Sequence, residues 1–237
     1  PYKLSGGTSF YSRAEIKDVM CYLRLIINPT DDSAFLRIIN TPKRSIGAVT
    51  LEKLGGYAQH RGVSLLTACS ELGLGQALGQ SKALVNLHEF ASWLEDHARE
   101  ILESTDPVPR IRQLLSDIAY EDYIRETAPT PQGAEARLEN INFLLNSVQG
   151  MINKAESEDD KSIETIIRKL VLIDLLDQQA EADDSDRVQL MTLHAAKGLE
   201  FPHVFLVGVE EGLLPHQELI DQQQVEEERR LMYVGVT

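Results

Sequence analysis

The chain has 237 residues, 43% of them hydrophobic, and its 37 acidic side chains against 23 basic ones give a net charge of −14. That length holds one large or two modest domains with an ample core. No apolar run approaches a membrane span and no charged-then-apolar leader opens the sequence. The two cysteines and six histidines show no metal-like spacing, which sets aside membrane, disulfide-scaffold and metal- or thiol-enzyme classes.

The charge is uneven. Residues 1–62 carry nine Lys/Arg against five Asp/Glu, about +4, and the remainder carries about −18. Contact with phosphates needs a local basic surface, not a basic chain, so the N-terminal quarter keeps nucleic-acid binding open. Cys21 and Cys69 lie in helical patterns and read as buried free thiols of a reducing cytosol.

In chain order, Tyr2 to Leu4 reads as a strand tip and Gly6-Gly7 as a turn. Ser12 and Glu15 have capping-box spacing. Ile16, Val19, Met20, Leu23 and Ile27 then recur at helical spacing until Asn28-Pro29. Asp31, Asp32 and Ser33 offer caps for a helix bearing Phe35, Leu36, Ile38 and Ile39, which Thr41-Pro42 ends. The next stretch, Pro42-Lys-Arg-Ser-Ile-Gly-Ala-Val-Thr50, turns into a helix running to about Arg61. A tight turn at Ile46, Gly47 and Ala48 can aim backbone N–H groups at a phosphate, and Lys43 and Arg44 can add charge-assisted contacts.

Residues 64–177 are almost wholly helical in pattern. Ser64 starts a short helix to Leu72, and Gly73, Gly75 and Gly79 mark a loop. Leu84, Leu87, Ala91, Leu94, Ala98 and Ile101 form one apolar stripe. Pro107 and Pro109 break the pattern before Ile111, Leu114, Leu115 and Ile118, and a short Tyr120–Glu126 segment ends at Pro129 and Pro131. Leu138, Ile141, Leu145, Val148 and Ile152 form the next stripe, and Ile163, Ile166, Ile167, Leu170, Val171 and Leu175 the last. Such stripes are core faces, and no chemistry is assigned to them. Glu181 to Asp186 reads as an exposed acidic hinge next to an abrupt change of periodicity.

Beyond it, Val188 to Leu193 and Val204 to Val209 have the composition of strands in a parallel sheet buried on both faces. Thr192, His194, Lys197, Gly198 and Glu200 fall on the loop between them. In open α/β sheets ligands bind beyond the strand C-terminal ends.

Three strings carry a resemblance. Thr192-Leu-His-Ala-Ala-Lys-Gly-Leu-Glu-Phe201 resembles motif V of the UvrD/Rep-type superfamily 1 DNA helicases, and Glu226-Glu-Glu-Arg-Arg-Leu-Met-Tyr-Val-Gly-Val-Thr237 resembles most of their motif VI. Pro1 to Asp18 is similar to the segment that leads into their inserted domain. The matches come in family order across essentially the whole chain.

The resemblance implies a mainly α fold: a helical insertion, the 2B domain, over 12–186, set into a partial α/β RecA-like (P-loop NTPase-type) 2A domain with a parallel sheet, formed by 1–11 and 187–237. It implies a piece of an ATP-dependent 3′-to-5′ translocase that unwinds DNA in replication or repair. Thr192 and His194 would contact single-stranded DNA. Gly198 and Glu200 would lie at the ATP cleft, with Glu200 on the ribose. Lys43, Arg44, Ile46, Gly47 and Ala48 would contact duplex DNA, the family's usual Gly-Ile-Gly being Ser45-Ile46-Gly47 here. ATP and Mg are the implied cofactors, although the sequence holds neither a Gly-rich phosphate loop ending in Lys-Ser/Thr nor the arginine that follows the motif VI string. No catalytic or metal-ligating residue is therefore assigned to this chain, which is expected to be inactive by itself.

DNA, replication or repair proteins, no membrane and a cytoplasmic setting complete the expectations. The competing reading is a protein-interaction or autoinhibitory helical module that does not touch DNA. An unpaired strand edge would bring a hazard of self-association.

Overall fold

The computed structural model describes residues 2–5, 10–79, 81–182, 188–221 and 225–236. Its contacts divide the chain into a helical unit, residues 10–175, and a second unit made of 1–9 and 176–237.

The helical unit opens with a 3₁₀ turn, Phe10–Ser12, and continues through α1 (Ala14–Ile27), α2 (Asp32–Ile38), α3 (Ala48–Arg61), α4 (Leu65–Ser70) and α5 (Leu74–Leu78). Then come α6 (Lys82–Leu102), α7 (Pro107–Asp117), α8 (Tyr120–Thr127), α9 (Pro131–Lys154), α10 (Glu158–Lys161) and α11 (Ile163–Ala182), whose last turns belong to the second unit. Local chemistry sets most starts. The side chains of Asp31, Ser64, Ser81 and Thr130 each accept a hydrogen bond from a first-turn amide of α2, α4, α6 and α9. Gly62, left-handed at φ 67°, closes α3.

Helix α1 is the centre of this unit. It buries Ile16, Val19, Met20, Cys21, Tyr22, Leu23, Leu25 and Ile26, nearly all round its circumference, against α2, α6 and α9. It also buries two carboxylates. Asp18 receives Arg37 at 2.7 Å and the Tyr120 hydroxyl at 2.8 Å. Glu15 accepts from Asn140 Nδ2 of α9 at 2.8 Å, and the Oδ1 of that amide accepts from Arg13. Burial and the Asp18 charge push the Tyr120 phenol far above its ordinary range. His97 of α6 bonds Asp117 of α7 at 3.1 Å and stacks near Trp93, while its Nδ1 is buried without a partner.

Several expectations need correction here. At the start of α1 the N-cap is Arg13, with no side-chain cap, and Glu15 bonds Asn140 across 125 residues of sequence. The glycine-marked loop at 73–79 contains α5. Pro107 and Pro131 open helices instead of ending them, occupying first-turn positions where a missing N–H costs nothing. Phe10 and Tyr11 group with the helical unit, where Phe10 packs edge-on against Phe143 of α9. Gly6-Gly7 and the Asp183–Asp186 part of the acidic hinge lie outside the described residues.

In the second unit, β1 (Tyr2–Ser5) pairs in parallel with β2 (Val188–Met191), Tyr2 opposite Val188 and Ser5 opposite Met191. The chain thus leaves one strand, builds the helical unit and returns to the neighbouring strand. Short helices α12 (Leu193–Ala196) and α13 (Gln217–Asp221) and the longer α14 (Val225–Val236) follow.

The expected strand at Val204–Val209 is absent. The segment is irregular, and Val204, Phe205 and Val207 are exposed, Phe205 to 89%. A strand exists only through a hydrogen-bonded neighbour, and among the described residues this run has none. Nor is the sheet buried on both faces, for Val188 and Leu190 of β2 are exposed. Among the described residues no helix is long and apolar enough to cross a membrane.

Candidate nucleic-acid interface

The turn between α2 and α3 is held by Asn40, Tyr22 and Arg44. The Asn40 amide works like a short strand partner: Oδ1 accepts from Arg44 N at 3.3 Å and Ile46 N at 3.2 Å, while Nδ2 donates to Ile46 O at 2.6 Å. Ile46, 4% exposed, anchors the turn in the core. Ser45 before it is left-handed at φ 57°, the conformation a glycine adopts at no steric cost. Gly47 is the N-cap of α3 with no side-chain cap, and a Cβ there would meet nothing within 4 Å. Gly47, Ala48 and Val49 are all exposed, so the first turn of α3 faces open space.

The two cations differ. Lys43 is exposed and has no hydrogen-bond or ion-pair partner among the described residues. Arg44, expected to reach phosphate, is half-buried and directed inward: Nη1 donates to the carbonyls of Ile38 (2.8 Å), Ile39 and Pro42 (3.2 Å each), and Nη2 to the Tyr22 hydroxyl at 2.7 Å. Its guanidinium also covers the Phe90 ring at 4.7 Å. The Tyr22 hydroxyl in turn donates to Thr41 O at 2.6 Å. Burial pushes this phenol up to about 12, with Arg44 opposing. Arg44 shapes the turn; Lys43 faces outward from it. Asn40 and Tyr22 escaped sequence reasoning, and a lone amide or phenol in a helical pattern gives no signal of such a role.

In the second unit, Thr192 caps α12, its hydroxyl accepting from Ala195 N at 3.3 Å. His194, Lys197 and Glu200 are exposed and make no hydrogen bond or ion pair among the described residues. Gly198 has φ 83° with open space around its Cα, a turn that any side chain would strain. The structure therefore groups Thr192, His194, Gly198 and Glu200 along one short exposed stretch with free donors and acceptors.

Gly235 of α14 explains how this stretch is supported. A Cβ at that position would fall 2.6 Å from Leu193 Cδ2 and 3.4 Å from Leu206. The absence of a side chain lets α12 and the 204–209 segment approach α14. A glycine inside an otherwise helical pattern was the sequence signal for this close approach. Arg229 of α14 bonds Glu226 one turn earlier.

These arrangements can be set beside known proteins. All of residues 1–237 match the family model described as the UvrD-like helicase C-terminal domain. The chain is 48% identical over its whole length to the ATP-dependent DNA helicase Rep of Salmonella typhimurium, covering 35% of that protein. It is 46% identical to Rep of Escherichia coli, again over all of the chain and 35% of the relative. It is 42% identical to the ATP-dependent DNA helicase PcrA of Bacillus subtilis, covering 32% of it. The chain thus spans about a third of the length of these relatives. The match is to the C-terminal domain as a whole, a coarser assignment than the division into an insertion and two flanking pieces. With that scope, the chain belongs to the UvrD-like helicase C-terminal domain family.

Proposed function

We propose that the chain serves an ATP-dependent, 3′-to-5′ DNA helicase of replication or repair, acting in the cytoplasm. Residues 12–186 form the helical 2B insertion, and 1–11 with 187–237 form parts of the RecA-like 2A motor domain. The observation that carries this reading is the whole-length similarity to relatives named ATP-dependent DNA helicases. The parallel pairing of β1 with β2 on either side of the helical unit supports the insertion.

On this reading the α2–α3 turn grips duplex DNA. Lys43 meets a phosphate, and the uncapped amides of Gly47 and Ala48 meet the same backbone, where helix N-termini favour anions. Ile46 and Arg44 hold the turn in shape from inside. Thr192 and His194 carry a hydroxyl and an imidazole that suit single-strand phosphate oxygens. Glu200 offers a carboxylate to ribose hydroxyls, and the open, left-handed backbone at Gly198 lets a nucleotide approach closely.

These residues suit one side of ATP. When bound, ATP with Mg supplies the phosphoryl-transfer energy that drives movement on DNA. The exposed, partner-free state of Glu200 fits the sugar, while no described residue group is of the kind that cradles a triphosphate and its metal. The chain alone is expected not to hydrolyse ATP with single-stranded DNA present.

The test is fluorescence anisotropy with a duplex bearing a 3′ single-stranded tail, over a salt series. Binding should weaken linearly in log salt, and Lys43→Glu should weaken it and lower the salt slope by about one. Arg44 is left intact because reversing it would break the turn. Absence of binding at low salt would reject the DNA grip and leave a protein-docking or autoinhibitory module.

A further inference from the structure

Beside the same turn lies a cleft of about 450 Å³ that also reaches α6 and the end of α7, within the size range of small-ligand sites. Its lining is mixed in a specific way. The half-buried Trp93 supplies aromatic surface, while Phe90, 3% exposed and covered by the Arg44 guanidinium, forms the floor. Asn86 spends its Nδ2 on the Arg44 carbonyl at 2.8 Å, which leaves its Oδ1 as an acceptor. Glu89 is exposed and makes no hydrogen bond or ion pair among the described residues. Asp117 is already engaged by His97 at 3.1 Å and by Gln113 at 2.6 Å. Lys43 lines the cleft as well, with its ammonium free.

We propose that this cleft holds one unpaired nucleobase bearing an amino group, guanine, cytosine or adenine, at the junction end of the DNA. The proposal rests on the reading that the α2–α3 turn meets DNA. The Trp93 ring stacks any base. The two available acceptors, Asn86 Oδ1 and the Glu89 carboxylate, select bases that present amino N–H groups: the N1–H and N2 amino group of guanine, with two adjacent donors, or the single N4 or N6 amino group of cytosine or adenine. Thymine presents mostly acceptors and is disfavoured. A cationic peptide side chain would also suit Glu89, but it would have to enter beside the Lys43 ammonium, which repels it and attracts the phosphate attached to a base.

Trp93 is the sole tryptophan of the chain, so its emission reports on the cleft directly. The experiment titrates the intact chain with 2′-deoxyguanosine and thymidine 5′-monophosphates, which share sugar and phosphate and differ in the base. It is repeated with 3′-tailed duplexes carrying dG, dT or an abasic site as the first unpaired nucleotide. Deoxyguanosine monophosphate should shift Trp93 emission with roughly tenfold higher affinity than its thymidine counterpart, the ratio expected for one hydrogen bond to a charged acceptor. Glu89→Gln, an exposed substitution that leaves the fold alone, should erase the difference.

Tailed duplexes that bind with equal affinity whatever the first unpaired nucleotide, with Trp93 emission unmoved, would overturn the base site while leaving the phosphate grip intact. A response to the mononucleotides without any binding of the tailed duplexes would overturn both. A stronger response to an arginine-rich peptide than to deoxyguanosine monophosphate would assign the cleft to a protein partner and overturn the proposal.

Discussion

The two units of this chain treat apolar residues in opposite ways. Among the described residues, every buried hydrophobic side chain lies between Ile16 and Leu170, within the helical unit. The strand-bearing unit is only slightly poorer in apolar residues, yet Val188, Leu190, Val204, Phe205 and Val207 are all exposed. The difference lies in what each secondary structure needs. A helix satisfies its own backbone and can bury a stripe against the next helix in sequence. A strand must first find a hydrogen-bonded neighbour, and a two-stranded ladder has too few to support a covered face.

That contrast can be broken by truncating one residue on each side of it. Leu94→Ala, at a site 1% exposed on α6, should cost about 3 kcal/mol of stability through lost burial and a residual cavity. Phe205→Ser, at 89% exposure, should change stability by less than about 0.5 kcal/mol despite removing a larger apolar group. Chemical denaturation of both variants decides the matter. A large loss at Phe205 would mean that the 204–209 segment is packed in solution. Amide exchange should give the same division, with slow protons in α1, α6 and α9 and fast ones across 204–209.

A smaller effect probes the polar part of the helical core. Asp18→Asn keeps the shape of the side chain but removes the charge that faces Arg37 and Tyr120. The cost should be about 2 kcal/mol, less than for a fully buried pair because Arg37 is about a third exposed, 35%. The sign can be checked a second way. The negative charge helps to hold the Tyr120 phenol above its ordinary range, so the variant should lower that titration. An unchanged melting temperature would show that the network adds no net stability.

How much of this was legible depends on the range of the deciding interaction. The capping roles of Asp31 and Ser64 are settled within three residues, and the sequence shows them. The Ser12–Glu15 pair has the right spacing too, but Glu15 bonds Asn140 of a distant helix. Val204–Val209 has strand composition, while the presence of a ladder partner is not a property of the six residues themselves. Lys43 and Arg44 look alike as neighbouring cations; only the inward carbonyls of Ile38, Ile39 and Pro42 separate a surface charge from a brace. The exposure of His194, Lys197 and Glu200 was legible because polar residues need no distant partner to be exposed.

The smallest effect comes from single backbone positions, where packing hardly enters. Ser45 is exposed and left-handed at φ 57°, so its Cβ is strained against the following carbonyl, and its hydroxyl makes no hydrogen bond among the described residues. Ser45→Gly removes that strain but adds freedom to the unfolded chain, leaving a net stabilisation of about 0.5 to 1 kcal/mol. Gly62→Ala is its mirror: at φ 67°, with nothing within 4 Å, the added methyl meets no clash beyond its own backbone and should cost about 1 kcal/mol. Measured together by thermal unfolding, the two variants should move in opposite directions by similar amounts. If Ser45→Gly instead destabilised the protein, the serine hydroxyl would have to be holding the turn. The α2–α3 junction would then depend on that side chain.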